Sequence, residues 1–323
     1  MPVYNTVQWV KPAIESILFQ TYNNLEIIVV DGGSTDGTIS VIKSIKDEKV
    51  KLYETMIYSF VEKMNYGIIK SNGEYIARMD SDDIAHPYRL EKQINVFENN
   101  PNVVFVSNIQ AYITPNGYIM KNNILNDRDH EITKSTLRHS KGLFSDASFL
   151  FKKNHAVDVN LYDTQYEKDT SLWYKLLSKG QGISTSTIYH FYRKRAGQLS
   201  VKQIGKDSGW YDLRKKYDPG GLDENIKPTK PEKVLLEKNF DLLLMYLASK
   251  EYKESIKIFK QIWAINSGND FLYFRRKLLE ILGRDTLRFW KWNNNRLKRK
   301  YVPYKPENQF VSNILLKLGL KLL

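Results

Sequence analysis

The chain has 323 residues, 42% of them hydrophobic and 26% charged, and carries 49 Lys/Arg against 36 Asp/Glu for a formal net charge of +13. That is enough for one large or two modest domains around a sizeable core, and it excludes a disordered, collagenous or disulfide-stapled chain. The lack of cysteine excludes thiolate catalysis and Cys-ligated zinc, whereas the charge admits nucleic acid, an anionic membrane or phosphorylated substrates.

In chain order, Met1-Pro2-Val3-Tyr4-Asn5 leads into a polar stretch without the features of a signal peptide, so a cytoplasmic protein is the default expectation. Apolar spacing predicts a helix over Val10–Phe19, with Pro12 tolerated in its first turn. Leu25–Asp31 reads as a buried strand ending in an acid, and Gly32-Gly33-Ser34-Thr35-Asp36-Gly37 as a turn in which Asp36 caps or turns the next helix, Thr38–Ile45. A strand at Val50–Tyr53 and a helix at Phe60–Lys70 follow. Glu74–Met79 is a strand delivering Asp80-Ser81-Asp82-Asp83, ahead of a helix at Leu90–Asn99 and a strand at Val103–Val106. Strands alternating with helices indicate an α/β fold with a mostly parallel sheet flanked by helices. Such sheets bind ligands at the carboxyl ends of their strands, where Asp31 and Asp80–Asp83 fall.

Beyond residue 110 the pattern loosens: a strand at Phe149–Phe151, a helix at Leu172–Leu177 and a strand at Ile188–Arg193. Pro219–Gly221 and Pro228–Pro231 punctuate a linker, and Val234–Ile281 reads as helical hairpins. Residues 271–323 hold 13 Lys/Arg against 3 Asp/Glu, so they account for +10 of the +13. No run of about 18 apolar residues suggests a membrane-spanning helix.

Asp80, Asp82 and Asp83 put three carboxylates within four residues. If Asp80 and Asp82 project to one side of an extended strand end, they converge and need a cation, and a hard divalent ion fits; the alternative is a solvated acidic turn. Asp31, at the end of a buried strand, needs a donor partner such as a nucleobase N–H.

Met1–Asn5, Ser16–Tyr22, Glu26–Thr38, Met64–Ile68, Asn72–Ile76 and Asp80–Asp83 together resemble, in order, the nucleotide-binding half of a family 2 glycosyltransferase with the GT-A fold. The resemblance is close to about residue 110 and looser to about residue 200. It implies inverting transfer of a sugar from a nucleotide donor, commonly a UDP-sugar, to an acceptor hydroxyl, with Mn²⁺ or Mg²⁺ as cofactor. By the same resemblance Pro2, Val3, Tyr4 and Asn5 line the base pocket, Asp31 accepts from the base, Asp80 reaches the ribose or the metal shell, and Asp82 binds the metal. Lys63 is an extra phosphate or base contact, or else a solvated helix residue. In Tyr166–Trp173, Asp169 aligns with the general base, which takes the acceptor hydroxyl's proton; it can also be an acid that a helix dipole stabilises. Glu167 is the second candidate, and Lys168 stands where the family often has an acid. Two further departures are the single residue before Pro2 and Gly32 at a frequently acidic position.

His190 is a core or acceptor-side histidine or an added metal ligand. Arg193 and Arg195 resemble a basic element of the family that faces the diphosphate or a flexible acceptor loop. His139, Asp146 and Ser148 fall on the acceptor side without assigned roles, and Trp173 is core or acceptor wall. Near the C-terminus, Arg284 to Lys300 interleave with Phe289, Trp290 and Trp292, which suits an anionic membrane surface. Phe310, Ile314 and Leu318 form an apolar stripe beside a polar one of Asn313, Lys317 and Lys321. Membrane association, packing on the catalytic domain, and a macromolecular partner remain alternatives.

The expected organisation is a catalytic domain over 1–218, with a nucleotide-binding half (1–110) and an acceptor half (111–218), a linker over 219–231, and a basic helical region over 232–323. The expected enzyme is cytoplasmic, peripheral on the inner face of the membrane if the basic tail binds lipid. It transfers sugar from a nucleotide-sugar to a glycan or lipid-linked acceptor in surface polysaccharide biosynthesis, and no nucleic-acid partner is expected. The alternative is a catalytically degenerate nucleotide-sugar-binding or scaffold protein.

Overall fold

A computed structural model describes residues 1–122, 129–139, 145–166, 169–195, 208–221, 235, 239–243, 245–246, 252–264, 301–303 and 306–321. The N-terminal half runs β1 (Pro2–Val3), α1 (Val10–Leu18), β2 (Ile27–Asp31), α2 (Thr38–Ser44), β3 (Val50–Glu54) and α3 (Phe60–Lys70). β1, β2 and β3 form a parallel sheet that sets Val3 opposite Asp31 and Asp31 opposite Glu54. β2 is buried along its length, so it reads as a continuous Ile-Ile-Val-Val run rather than an alternating one. α1 buries Val10, Ala13, Ile14 and Ile17, one face at helical spacing, in the cluster holding Val3, Val29 and Ile42.

The second sheet is built from β4 (Tyr75–Ala77), β5 (Ile84–Ala85), β6 (Val103–Ile113), β7 (Ile119–Asn122), β8 (His130–Ile132), β9 (Leu150–Lys152) and β10 (Gln181–Arg193), with α4 (Arg89–Asn99), α5 (Lys134–His139), α6 (Lys153–Asp158) and α7 (Thr170–Leu176) between them. Its centre is the parallel pair β6 and β10, while β4, β5, β7, β8 and β9 pair antiparallel. The α/β architecture matches expectation; the parallel character belongs to β1–β3 and the β6–β10 pair, and the second sheet is mixed. β6 and β10 run well past the predicted Val103–Val106 and Ile188–Arg193, because pairing along their full length extends strands whose sequence pattern weakens. Gly182 lets the pair close: a Cβ there would stand 2.2 Å from the Phe105 ring. Behind it Trp173 is fully buried and stacks on Phe149 at 3.8 Å between ring centroids, which makes Trp173 core.

The later residues form α8 (Ser208–Tyr217), α9 (Tyr252–Ala264), β11 (Tyr301–Pro303) and α10 (Gln309–Lys317). Pro219–Gly221, where the linker was expected to begin, is a 3-10 turn. β11 pairs with β7 at the edge of the second sheet. α10 is capped by Asn308, whose side chain accepts from Val311 N–H at 3.0 Å. It buries Val311, Ile314 and Leu315, with Leu318 and Leu320, against Ile84, Ile109, Ile113 and Phe191. Within the region expected to be helical over 232–323, residues 301–303 thus form a strand on the second sheet, and 309–317 form a helix packed against it. In the predicted stripe Ile314 and Leu318 are buried by protein, Phe310 is exposed beside the Tyr88 ring, and Asn313, Lys317 and Lys321 face solvent. Arg284–Lys300 lie outside the described residues. Among the described residues, no helix is long and apolar enough to cross a membrane.

Candidate active site

The first wall is the turn after β2. Asp31 is fully buried, and its carboxylate accepts from Gly33 N–H at 2.8 Å, Ser34 N–H at 2.9 Å and the Ser34 hydroxyl. The donors it needs come from its own turn, so an external base is not required to satisfy it, contrary to expectation. Asn5, at φ +50°, receives Thr35 N–H on its side chain at 2.8 Å and gives its own N–H to Ser34 Oγ at 2.9 Å. Asp36 takes N–H groups from Val7 and Thr38; burial opposes its charge, but the bonds from Thr38 and Val7 hold its carboxyl below the ordinary range. Pro2 and Val3 are buried. The Val3 side chain sits in the core and its carbonyl accepts from Gly32 N–H, so these two residues act as a strand rather than as side chains lining a pocket. Tyr4 is half exposed, and the Lys63 ammonium lies 5.7 Å from its ring centroid. Lys63 is buried, which overturns the solvated alternative. A Cβ on Gly32 would come within 2.6 Å of Ile57 O and 2.7 Å of Lys63 Nζ, so an acidic side chain has no room there.

The second wall follows β4. The chain leaves extended geometry after Ala77 and turns at Ser81–Asp82, so Asp80 and Asp82 do not converge by strand alternation and take different partners. Asp80 Oδ1 lies 3.3 Å from Arg78 Nη2. Asp82 Oδ2 lies 3.0 Å from Arg195 Nε, whose guanidinium is 4.6 Å from the Trp9 ring centroid. Burial and the neighbouring Asp83 push the Asp82 carboxyl up to about 7. Asp83 points inward, 2.8 Å from His190 Nε2, and accepts Arg193 N–H at 2.8 Å. Burial drives the Asp83 carboxyl well up and the fully buried His190 imidazole well down. His190 is therefore a core residue bound to Asp83 and not a metal ligand. Arg193 is a buried brace donating to Asp82 O, Thr114 O and Pro115 O, which corrects the expectation that it faces a diphosphate.

The third wall comes from residues 146–169. Asp169 stands at the N-cap position of α7 without a side-chain capping bond; its Oδ2 instead lies 3.1 Å from Arg78 Nη2. Asp146, in a 3-10 turn before β9, is exposed as a residue. Burial and the negative charge of Asp169 push its carboxyl up to about 7. Tyr162 is buried, and burial pushes its phenol well up against the pull of Arg78. Ser148 is buried with its hydroxyl on Ser145 O, a structural role. Glu167, Lys168 and the His139 side chain lie outside what is described.

Arg78 joins the second wall to the third, and sequence reasoning missed it. The available signal was a charge two residues before Asp80, at the end of an otherwise apolar strand. Among the described residues no three ligating side chains converge on one point. The protein offers two carboxylates, Asp80 and Asp82, with 22% and 17% of their side chains exposed. Oxygen donors from one or two carboxylates, completed by phosphate and water, are what a hard divalent ion takes, so this donor set fits Mg²⁺ or Mn²⁺.

A parallel three-stranded sheet beside a mixed second sheet, with acids after β2, after β4 and at the start of α7, has the GT-A architecture of solved glycosyltransferases. Residues 1–159 match Glycosyl transferase family 2. The chain is 30% identical over 189 residues to the O-antigen biosynthesis glycosyltransferase WbnJ of Escherichia coli, across 57% of this chain and 72% of that protein. It therefore belongs to glycosyl transferase family 2. It spans only 26% of a longer Rickettsia bellii glycosyltransferase, to which it is 29% identical over 185 residues, 54% of this chain. Among solved structures it shares the fold of Staphylococcus aureus TarS 1-349 in complex with UDP-GlcNAc (TM-score 0.55, 15% identity, 92% of this chain and 88% of that one). It likewise shares the fold of the mannosyltransferase PcManGT from Pyrobaculum calidifontis in complex with GDP-Man and Mn²⁺ (TM-score 0.51, 16% identity, 98% and 85%).

Proposed function

We propose that the protein is an inverting, metal-dependent glycosyltransferase that moves a sugar from a nucleotide-sugar, a UDP-sugar by preference, to a hydroxyl of a glycan or lipid-linked acceptor in surface polysaccharide assembly. One observation carries this reading: Asp80 and Asp169, from the donor and acceptor halves, approach the same guanidinium nitrogen at 3.3 and 3.1 Å. An acid from each half is thereby fixed beside the other, the kind of positioning on which reaction between bound donor and acceptor depends.

In this reading Tyr4 and Lys63 contact the nucleotide, while Asn5 and Asp31 hold the turn that receives it, with Pro2 and Val3 as its floor. Asp82 and Asp80 would hold the divalent ion. When bound, that ion supplies Lewis-acid stabilisation of the leaving diphosphate. Asp169 takes the proton of the acceptor hydroxyl as that oxygen attacks the sugar carbon. UDP and UDP-GlcNAc bound by TarS, and GDP-Man with Mn²⁺ bound by the mannosyltransferase, support the donor and metal assignments; the O-antigen role of WbnJ supports the pathway class. The +10 of residues 271–323 supports a peripheral position on the inner face of a membrane.

A panel of UDP-, GDP- and CDP-sugars, each with and without Mn²⁺, tests this by thermal stabilisation. A ligand at 100 times its Kd adds about 2.7 kcal/mol of stability. Stabilisation by UDP-sugars that requires the metal is expected; no stabilisation by any nucleotide would sink the reading.

A further inference from the structure

Arg78 is held in place from several sides. Its N–H donates to Phe149 O at 2.8 Å, and its carbonyl accepts from Arg89 Nη2 at 2.6 Å, so its backbone is tied both to the turn carrying Asp146 and to α4. Its side chain is 5% exposed and its guanidinium lies 5.4 Å from the Phe60 ring centroid. A guanidinium has five N–H donors in a rigid fork. Here one nitrogen, Nη2, serves both Asp80 and Asp169, while Nε and Nη1 are buried without a hydrogen-bond partner. A purely structural buried arginine is normally satisfied by surrounding carbonyls, because each unmade bond costs stability. This guanidinium instead follows the two acids.

Asp169 has no capping bond to fix its carboxylate on α7. Its carboxylate lies against Arg78 Nη2 at 3.1 Å, and the Arg78 backbone is held by α4 and by Phe149. We propose that Arg78 is a positioning residue: it sets the carboxylate of Asp169 against the donor, and so fixes where the acceptor hydroxyl loses its proton. This rests on the catalytic reading of Asp169 above. Lysine at this position keeps the charge but replaces a planar fork with a flexible point charge, so it separates geometry from neutralisation.

The test uses the full-length protein with Arg78→Lys and, as a milder change that leaves the arginine in place, Phe60→Leu. UDP binding with Mn²⁺ is measured by calorimetry, and nucleotide release from UDP-GlcNAc, UDP-Glc, UDP-Gal and GDP-Man by steady-state kinetics with water as acceptor. A base displaced by about an ångström loses on the order of 10²-fold in rate. For Arg78→Lys we therefore expect kcat to fall about 10²-fold, with KM for the sugar nucleotide and UDP affinity within about 3-fold of wild type. Phe60→Leu should give a smaller fall in kcat, again with UDP affinity kept. Melting temperatures of Arg78→Lys, Asp169→Asn and the double variant should be non-additive, as for groups in contact. An active wild type whose kcat survives Arg78→Lys, or additive melting shifts, overturns this inference alone. A wild type inert toward every sugar nucleotide overturns the functional reading, and this inference with it.

Discussion

Asp83 and His190 are 107 residues apart in the chain and 2.8 Å apart in the fold. Both are fully enclosed, and the other Asp83 oxygen accepts Arg193 N–H. The third acid of the cluster therefore locks the acidic turn to β10, whereas Asp80 and Asp82 stay partly exposed. Asp83→Asn, which can donate to His190 and accept from Arg193, should change stability by less than about 1 kcal/mol. Asp83→Ala leaves two buried groups unpaired, at about 1–3 kcal/mol each. Urea unfolding of the two variants checks this; equal losses would contradict it.

Asp82→Asn removes a charged oxygen from the two-carboxylate donor set. Losing several kcal/mol of charge stabilisation corresponds to about 10³-fold in rate. Metal-dependent turnover should fall by that order while the melting temperature holds, and chelation should abolish wild-type turnover. Full activity of the variant would remove Asp82 from the metal assignment.

Asp169→Asn is expected to spare UDP binding and to lower transfer by about 10²–10⁴-fold, the usual range for loss of a general base. Calorimetry with UDP and Mn²⁺ and a turnover assay separate the two effects. Normal turnover in this variant would move the base to Glu167.

The folded Asp146 carboxyl titrates near 7 because of burial and Asp169, against about 4 unfolded. Between those values the folded state binds more protons than the unfolded one, so this group's contribution to stability falls as pH rises from about 4 to 7 and is flat above. Solvent contact makes the effect smaller than full burial would. Asp146→Asn should thus gain stability relative to wild type as pH is raised through that window. A stability difference that does not change with pH would refute the assignment.

Leu315 on α10 is fully buried. If the C-terminal segment is part of the catalytic core, Leu315→Ala should cost about 2–5 kcal/mol in a single cooperative unfolding transition. A loss confined to a separate early transition, with the main transition unmoved, would mark this segment as an independent appendage.

Much of the nucleotide half was legible from local pattern. The Ile-Ile-Val-Val run gave β2, helical spacing gave α1 and α3, and the Gly-Gly-Ser-Thr-Asp-Gly cluster gave the turn that Asp31 and Asp36 organise. The acceptor half was less legible. The length of β6 and β10 depends on their pairing, and the space closed by Gly182 is visible only with Phe105 in place. Arg78, the cation against which Asp80 and Asp169 both lie, looked like one charge at a strand end.

By itself, the sequence determined the α/β order, the ordered motifs that mark the family, and the candidate acids, because helical period, turn residues and spacing are local properties of the chain. Only the tertiary structure decided which partner each acid takes. Asp31 is satisfied by its own turn, Asp83 by His190 and Arg193, and Asp80 and Asp169 meet at Arg78. The same holds for the apolar stripe of α10, which needed a partner that the sequence could not name and found it in the second sheet. Partners brought together across about a hundred residues or more are chosen by packing, and no local spacing records them.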